Sequence, residues 1–145
     1  MKTENQNKKS SVCNCLNMRR ASLAITEIYD HYLEPCHISI SQFSILKHIH
    51  SMEPVNVSEL AAEIRLDRTT LVRNLKPLEQ QELIHDISQL GTRNRQLCLT
   101  IKGNEKLEEA YVFWNQAQEQ IEAQLGKEDS QILQDLLLKI EVLAP

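Results

Sequence analysis

Apolar residues recur at helical spacing through most of the chain, and the densest pattern lies at 57–79, VSELAAEIRLDRTTLVRNLKPLE. Val57, Leu60, Ala61 and Ile64 mark one apolar face, then Leu71, Leu75 and Leu78 mark another, which predicts two short helices joined by a tight turn. Ser58 and Glu59 stand where a hydroxyl or carboxylate can satisfy the free amides of the first helix. Asp67 is placed to accept from the amides of Thr69 or Thr70 as N-cap of the second. On that second helix Thr69, Arg73, Lys76 and Gln80 share one stripe, with Thr70 and Asn74 beside it. No carboxylate interrupts the stripe, a composition suited to a helix pressed against phosphates and base edges in a major groove. Any small helical domain can pair two amphipathic helices, so the neighbouring segments decide what this pair is for.

The flanks supply that context. Residues 1–11 are polar and read as a flexible tail. Val12 to about Leu33 reads as a long helix with Leu16, Leu23, Ile28 and Tyr32 on a broad apolar face, limited by Pro35. HISISQ (37–42) offers Ser39 or Ser41 as cap of a helix that buries Phe43, Leu46 and Ile49, and Pro54 breaks it. After Leu78 the period changes: Leu83, Ile84 and Ile87 read as a short strand, SQLGTRNR (88–95) as a polar turn. QLCLT (96–100) reads as a second strand, with Leu97 and Leu99 facing one way and Cys98 the other. A helix pair followed by a hairpin that carries Arg93 and Arg95 on its loop is the winged version of a helix-turn-helix.

From Thr100, a cap, the chain turns helical again, with Gly103 tolerated early and a stripe of Leu107, Ala110, Tyr111, Trp114, Ala117, Ile121 and Leu125. Gly126 ends this helix, and Asp129 or Ser130 begins a last one with Ile132, Leu133, Leu136, Leu137, Ile140 and Leu143 apolar. The fold class is mainly α (α+β): a winged helix-turn-helix DNA-binding region at 37–103, and a helical dimerisation region at 12–36 and 104–145. The terminal helices carry more apolar surface than a small winged domain needs. A homodimer whose terminal helices interlock accounts for it, and a three-helix cap within one chain is the alternative. A dimer also sets two recognition helices about one DNA turn apart, matching a palindromic operator.

Charge sharpens this picture. The chain carries a formal net charge of −4 over 145 residues, which alone argues against nucleic acid. Its distribution does not: Arg65 to Arg95 holds six Lys or Arg against four acids, whereas Asn104 onward holds three Lys against nine acids. A local basic patch on an acidic body fits a protein that touches duplex DNA through one small surface. No apolar run approaches a membrane span, and MKTENQNKKS lacks the apolar segment of a signal peptide, so a cytoplasmic protein without membrane partners is expected. With three glycines, no Gly-rich phosphate loop and no Ser–His or Cys–His signature at useful spacing, neither an enzyme nor a cofactor is expected. The five histidines are scattered, and no metal site is expected.

Base-edge or phosphate contacts are assigned to Thr69, Thr70, Arg73 and Asn74, and backbone-phosphate contacts to Arg68, Lys76, Arg93 and Arg95. Four cysteines suit thiols in a reducing compartment. Cys13 and Cys15 form a CxC near the start of the first helix, where backbone amides favour an anion. Residues two apart do not face each other on a helix, so pairing across a dimer stands beside an internal disulfide. A redox-responsive regulator using Cys13 and Cys15, and a helical scaffold that binds no DNA, are the two alternative functions.

The order of these pieces resembles the MarR family of winged helix-turn-helix regulators over about residues 12–143. SISQFSILKHI (39–49), the helix pair at 57–79, LCLTIKG (97–103) and the two closing helices carry the resemblance. It implies that the helix matching 68–80 enters the major groove, that Arg93 works in the wing, and that the terminal helices build a homodimer. It implies a transcriptional regulator, usually a repressor, often released by phenolic or other small lipophilic ligands or by cysteine oxidation. A small-molecule site is implied between the helical and winged regions, where Tyr29, Tyr32, Phe43, Tyr111, Phe113 and Trp114 serve as lining, core or dimer contacts. The chain departs from the pattern in three places. Gly91 replaces the aspartate that opens the wing. Glu82 replaces the glycine after the recognition helix, predicting a different helix exit. Pro77 removes the bond to the Arg73 carbonyl and predicts a bent last turn.

Overall fold

The computed structural model describes residues 7–89 and 94–145, and within them six helices flank a two-stranded antiparallel hairpin. Residues 1–6 of the tail and 90–93, including Gly91 and Arg93, lie outside the described residues.

Helix α1 spans Asn14–Leu33. Its start is fixed from the tail, because the Ser11 amide donates to Asn17 Oδ1 at 2.8 Å while Asn17 Nδ2 donates back to the Ser11 carbonyl at 2.7 Å. A 3-10 turn, Glu34–Cys36, ends on His37 in the left-handed region. Helix α2, Ile40–Met52, starts at Ser39 rather than Ser41. Ser39 accepts from the Gln42 amide while the Gln42 side chain accepts from the Ser39 amide, a reciprocal capping box. Asp30 of α1 accepts from the Ile40 amide at 2.7 Å, so α1 and α2 are joined at their adjacent ends.

Helices α3, Val57–Ile64, and α4, Arg68–Gln80, are the expected pair. The cap of α3 is Asn56, two residues ahead of the Ser58 that the sequence reading set at the helix start. Asn56 accepts from the Glu59 amide at 2.8 Å, leaving Ser58 and Glu59 inside the first turn. Asp67 caps α4 by accepting from the Thr70 amide at 2.9 Å. The tight turn between them is made by Arg65 in a left-handed conformation (φ 64°), with the Leu66 amide returning to the Ala61 carbonyl at 3.0 Å.

Helix α4 runs through Pro77 to Gln80, the extent the sequence reading gave it. Glu82 adopts the left-handed conformation (φ 58°) that favours glycine, at a cost of about 1–2 kcal/mol. Surrounding bonds over-determine the geometry: the Leu83 amide donates to the Leu78 carbonyl at 3.0 Å, and Thr100 Oγ1 donates to the Glu82 carbonyl at 2.6 Å.

Strands β1, Ile84–Asp86, and β2, Leu97–Leu99, pair as Ile84 with Leu99, His85 with Cys98 and Asp86 with Leu97. The hairpin is shorter than the sequence pattern suggested. Leu83 is buried just ahead of β1, and the Ile87 amide donates to the Gln96 carbonyl while its side chain stays 54% exposed. Leu97 and Leu99 are buried and Cys98 is half-buried on the opposite side, as the alternation requires.

Helix α5, Ile101–Leu125, is capped by Thr100, which accepts from the Gly103 amide at 2.9 Å. Gly103 is required rather than tolerated, since a Cβ there would lie 1.9 Å from the Leu83 carbonyl oxygen. Helix α6, Lys127–Glu141, starts directly after Gly126 instead of at Asp129 or Ser130. Glu128 and Asp129 fall in its first turn, where free amides favour carboxylates.

Phe43, Leu46 and Ile49 of α2, Leu60 of α3, Leu71, Leu75 and Leu78 of α4, Leu97 of β2 and Leu107 of α5 share one core. By contrast, α6 buries none of its residues within the chain, and α1 buries only Leu33. Gly103→Ala is expected to destabilise the fold by about 1–3 kcal/mol, because backbone must move to admit the methyl; urea unfolding of the two proteins checks this, and an unchanged midpoint would contradict the close approach.

Candidate nucleic-acid interface

Helix α4 presses Leu71, Leu75 and Leu78 into the core, which turns Arg68, Thr69, Val72, Arg73, Lys76 and Gln80 outward as exposed residues. Thr70 and Asn74 are half-buried at the margin of that face. Thr70 is already engaged: its hydroxyl donates to Asp67 Oδ2 at 2.5 Å. The Thr70 hydroxyl and amide hold the Asp67 carboxyl below the usual carboxylate range, so the cap is ionised at neutral pH and is lost only as pH falls through that lowered value. Arg68 Nη1 donates to Ser58 Oγ at 2.9 Å, bringing its cation to the start of α3 beside Asn56 and Asn94.

Arg95 is placed differently from its reading as a loop cation. Its guanidinium is ion-paired with Glu79 of α4 and reaches Asp86 of β1 at 3.3 Å. Asp86 also accepts from the amides of Ser88 at 2.9 Å and Gln96 at 3.0 Å, and the Ser88 and Gln96 bonds keep its carboxyl below the ordinary range. Arg95 therefore ties the last turn of the recognition helix to the base of the wing, with its charge shared between two carboxylates.

The far edge of β2 is closed by the segment after α2. In this register the amides of Leu97 and Leu99 point away from β1. Leu97 exchanges backbone bonds with Val55 at 2.8 and 3.1 Å, and the next amide, Leu99, donates to Glu53 Oε2 at 2.8 Å. A side-chain carboxylate thus does what the next residue of a third strand would do. Glu53, Glu79, Asp86 and Val72 were missed by a reading that sorted this region by cationic charge. Only Val72 had a local signal, standing four residues after Arg68 and four before Lys76.

The cysteines divide into two pairs. Cys13 is the N-cap of α1 without a side-chain capping bond, and it and Cys15 are exposed. Cys36 is buried and Cys98 half-buried; burial first, then the nearby Glu109 and Glu53 carboxylates respectively, pushes each thiol up. His48 Nδ1 contacts the Ser44 carbonyl and His50 Nδ1 the Asn104 side chain. Among the described residues no cluster of three or more His, Cys, Asp or Glu is placed to hold a metal, and no helix is long and apolar enough to cross a membrane. Three of the six aromatic candidates pack together where α2 meets α5. Phe43 lies edge-on to Tyr111 at 5.2 Å and stacks with Trp114 at 5.7 Å, and Lys47 Nζ sits 5.2 Å from the Trp114 ring. The Tyr29 hydroxyl is hydrogen-bonded to Gln118 of α5.

A cationic recognition helix, a wing braced against it and two terminal helices with uncovered apolar faces define a winged helix-turn-helix protein of the DNA-binding class. The chain belongs to the MarR family, whose sequence pattern matches residues 38–87. It is 31% identical to M. tuberculosis transcriptional regulator MosR, solved in complex with DNA, covering 92% of this chain and 99% of that one with a TM-score of 0.77. The transcriptional repressor CouR, bound to a 23-mer DNA duplex, is 24% identical with a TM-score of 0.80, covering 89% and 92% of the two chains; it has also been solved with p-coumaroyl-CoA. S. aureus MepR, in its DNA complex, shares the fold at 20% identity and a TM-score of 0.79, covering 92% of this chain and all of that one. No curated protein sequence is matched. Family membership makes this chain a DNA-binding transcriptional regulator rather than an enzyme.

Removing the side chain that closes the wing should be measurable. Glu53→Ala leaves the Leu99 amide without its acceptor and is expected to cost about 1 kcal/mol, with partial recovery in Glu53→Gln. Chemical unfolding of the three proteins checks this, and equal stability would show that water replaces the carboxylate without loss.

Proposed function

We propose that this regulator is a repressor that binds a palindromic operator as a homodimer and is released by a small ligand. The observation that carries the proposal is the acid-free outward face of α4, where Arg68, Thr69, Arg73 and Lys76 all stand exposed. Thr69, Arg73 and Asn74 meet base edges or phosphates, while Arg68 and Lys76 anchor backbone phosphates. Thr70 contributes through the cap it shares with Asp67, leaving its margin of the face for phosphate approach. Arg93 belongs to the wing contacts by resemblance. Arg95 acts mainly by holding the wing against α4, since two carboxylates already share its charge.

Dimerisation follows from the uncovered helices. Ile132, Leu133, Leu136, Leu137 and Ile140 of α6 and Leu143 just beyond it are all at least 40% exposed, and such a continuous apolar face marks a site for a partner. A second copy, packing residues 12–36 and 104–145 of both chains, covers it and leaves the winged regions at 37–103 to face DNA. The release step draws on a structural relative, CouR, which is a repressor seen with DNA and with p-coumaroyl-CoA. A phenolic or other small lipophilic effector would act near the Phe43, Tyr111 and Trp114 cluster. A scaffold that binds no DNA has no comparable support.

Arg73→Ala is expected to weaken operator binding about 5- to 150-fold, the worth of one good base contact, while circular dichroism and the oligomeric state stay unchanged. A gel-shift titration that shows wild-type affinity would remove Arg73 from the reading surface. Lys76→Ala is expected to weaken binding on all duplexes alike and to reduce the slope of log K against log salt by about 1.

A second reading adds redox control, favoured by the exposure of both Cys13 and Cys15 and by the position of Cys15 in a groove beside Ile140 of α6 and Leu143 just after it. Disulfide formation there would act on the seam between subunits. Treatment with a hydroperoxide is expected to lower operator affinity in the wild type but not in a Cys13→Ser, Cys15→Ser double variant, and indifference of the wild type would dispose of the switch.

A further inference from the structure

Val72 is 45% exposed on the outward face of α4. Helical geometry places it one turn from Arg68 and from Lys76, and beside Thr69 and Arg73. A single exposed valine is ordinary on a protein surface. This one stands at the centre of the face that the proposed function commits to DNA, enclosed by three cations. The cations have phosphates and guanine edges to meet; an isopropyl group has neither. The only apolar feature that a base pair presents in the major groove is the C5 methyl of thymine.

We infer that Val72 is a specificity-determining residue that packs against a thymine methyl in each half-site of the operator. Two features fit that role. Val is stiff at χ1 in a helix, so its methyls are held in place before DNA arrives. Its neighbours on the stripe are long and cationic, so phosphate contacts can fix the register of the helix while the short Val72 side chain meets the groove floor. The inference rests on the DNA-binding reading above, and adds to it a base identity.

The test uses the full-length protein and its own selected site. A duplex enriched from a random library is titrated by fluorescence anisotropy at fixed salt, with each thymidine replaced in turn by deoxyuridine, which removes the methyl and keeps the base pairing. For the wild type, one position per half-site is expected to lose about fourfold in affinity, the equivalent of about 0.8 kcal/mol for one methyl-sized group buried. For Val72→Ala the same replacement is expected to have no effect, and the thymine duplex to bind about as weakly as the wild type binds the deoxyuridine one. Alanine is a better helix former than valine, so the variant keeps α4 intact. Failure to enrich any sequence would overturn the DNA-binding reading and the inference with it. Enrichment of a site that is indifferent to every deoxyuridine, or whose sensitivity persists unchanged in Val72→Ala, would overturn the role of Val72 alone.

Discussion

One helix is both a wedge in the core and the face proposed to meet DNA, and the rest of the chain is arranged around that constraint. With 3.6 residues per turn, α4 can sink Leu71, Leu75 and Leu78 while keeping the opposite side free. What the opposite side must avoid is a free carboxylate. Asp67, at its head, is engaged by Thr70, and Glu79, near its tail, is engaged by Arg95. The acids of this segment are thereby spent within the protein. Charge is felt over roughly 8–10 Å at physiological salt, so a duplex at the proposed interface would meet the local charge of the α4 face and not the net charge of −4.

The wing depends on the same economy. Two strands of three residues each cannot hold together alone, so the hairpin is fastened on every side. Val55 and the Glu53 carboxylate close the outer edge of β2, Arg95 joins the base of the wing to α4, and Thr100 closes over the Glu82 carbonyl. Gly103 lets α5 come against the Leu83 carbonyl, closing the last side. The left-handed conformation of Glu82 is held on its two sides by the Leu83 amide bond to the Leu78 carbonyl and the Thr100 hydroxyl bond to the Glu82 carbonyl.

Features that depend on neighbours in sequence were legible in it. The caps at Asp67 and Thr100 could be read from residue type and spacing, as could the choice between Ser39 and Ser41 once Gln42 is set three residues after Ser39. The cap of α3 was passed over because Ser58 and Glu59 are good first-turn residues, although Asn56 just before Val57, with Glu59 three residues on, carries the N-cap signal. Gly126 both ends α5 and opens α6, which the search for a separate Asp or Ser cap overlooked. Tertiary facts were out of reach. Arg95 looked like a free loop cation because its partner Glu79 lies a whole strand away, and Gly103 looked tolerated because the atom that forbids a side chain belongs to Leu83. The outward exposure of Arg68, Thr69, Arg73 and Lys76 was legible because it needs only the helical period.

Helix α2 joins the α5 aromatics at one end to the wing at the other. Phe43, near its start, is clasped by Tyr111 and Trp114 of α5, and Asp30 of α1 holds the Ile40 amide there. Glu53, immediately after its end, holds the Leu99 amide. These points are ten residues apart, about 15 Å along the helix axis, and Leu46 and Ile49 between them are fully buried. The effector proposed to act near Phe43 would therefore bear on the same helix whose far end holds the wing through the Glu53 bond to the Leu99 amide, at a distance from the outward face of α4.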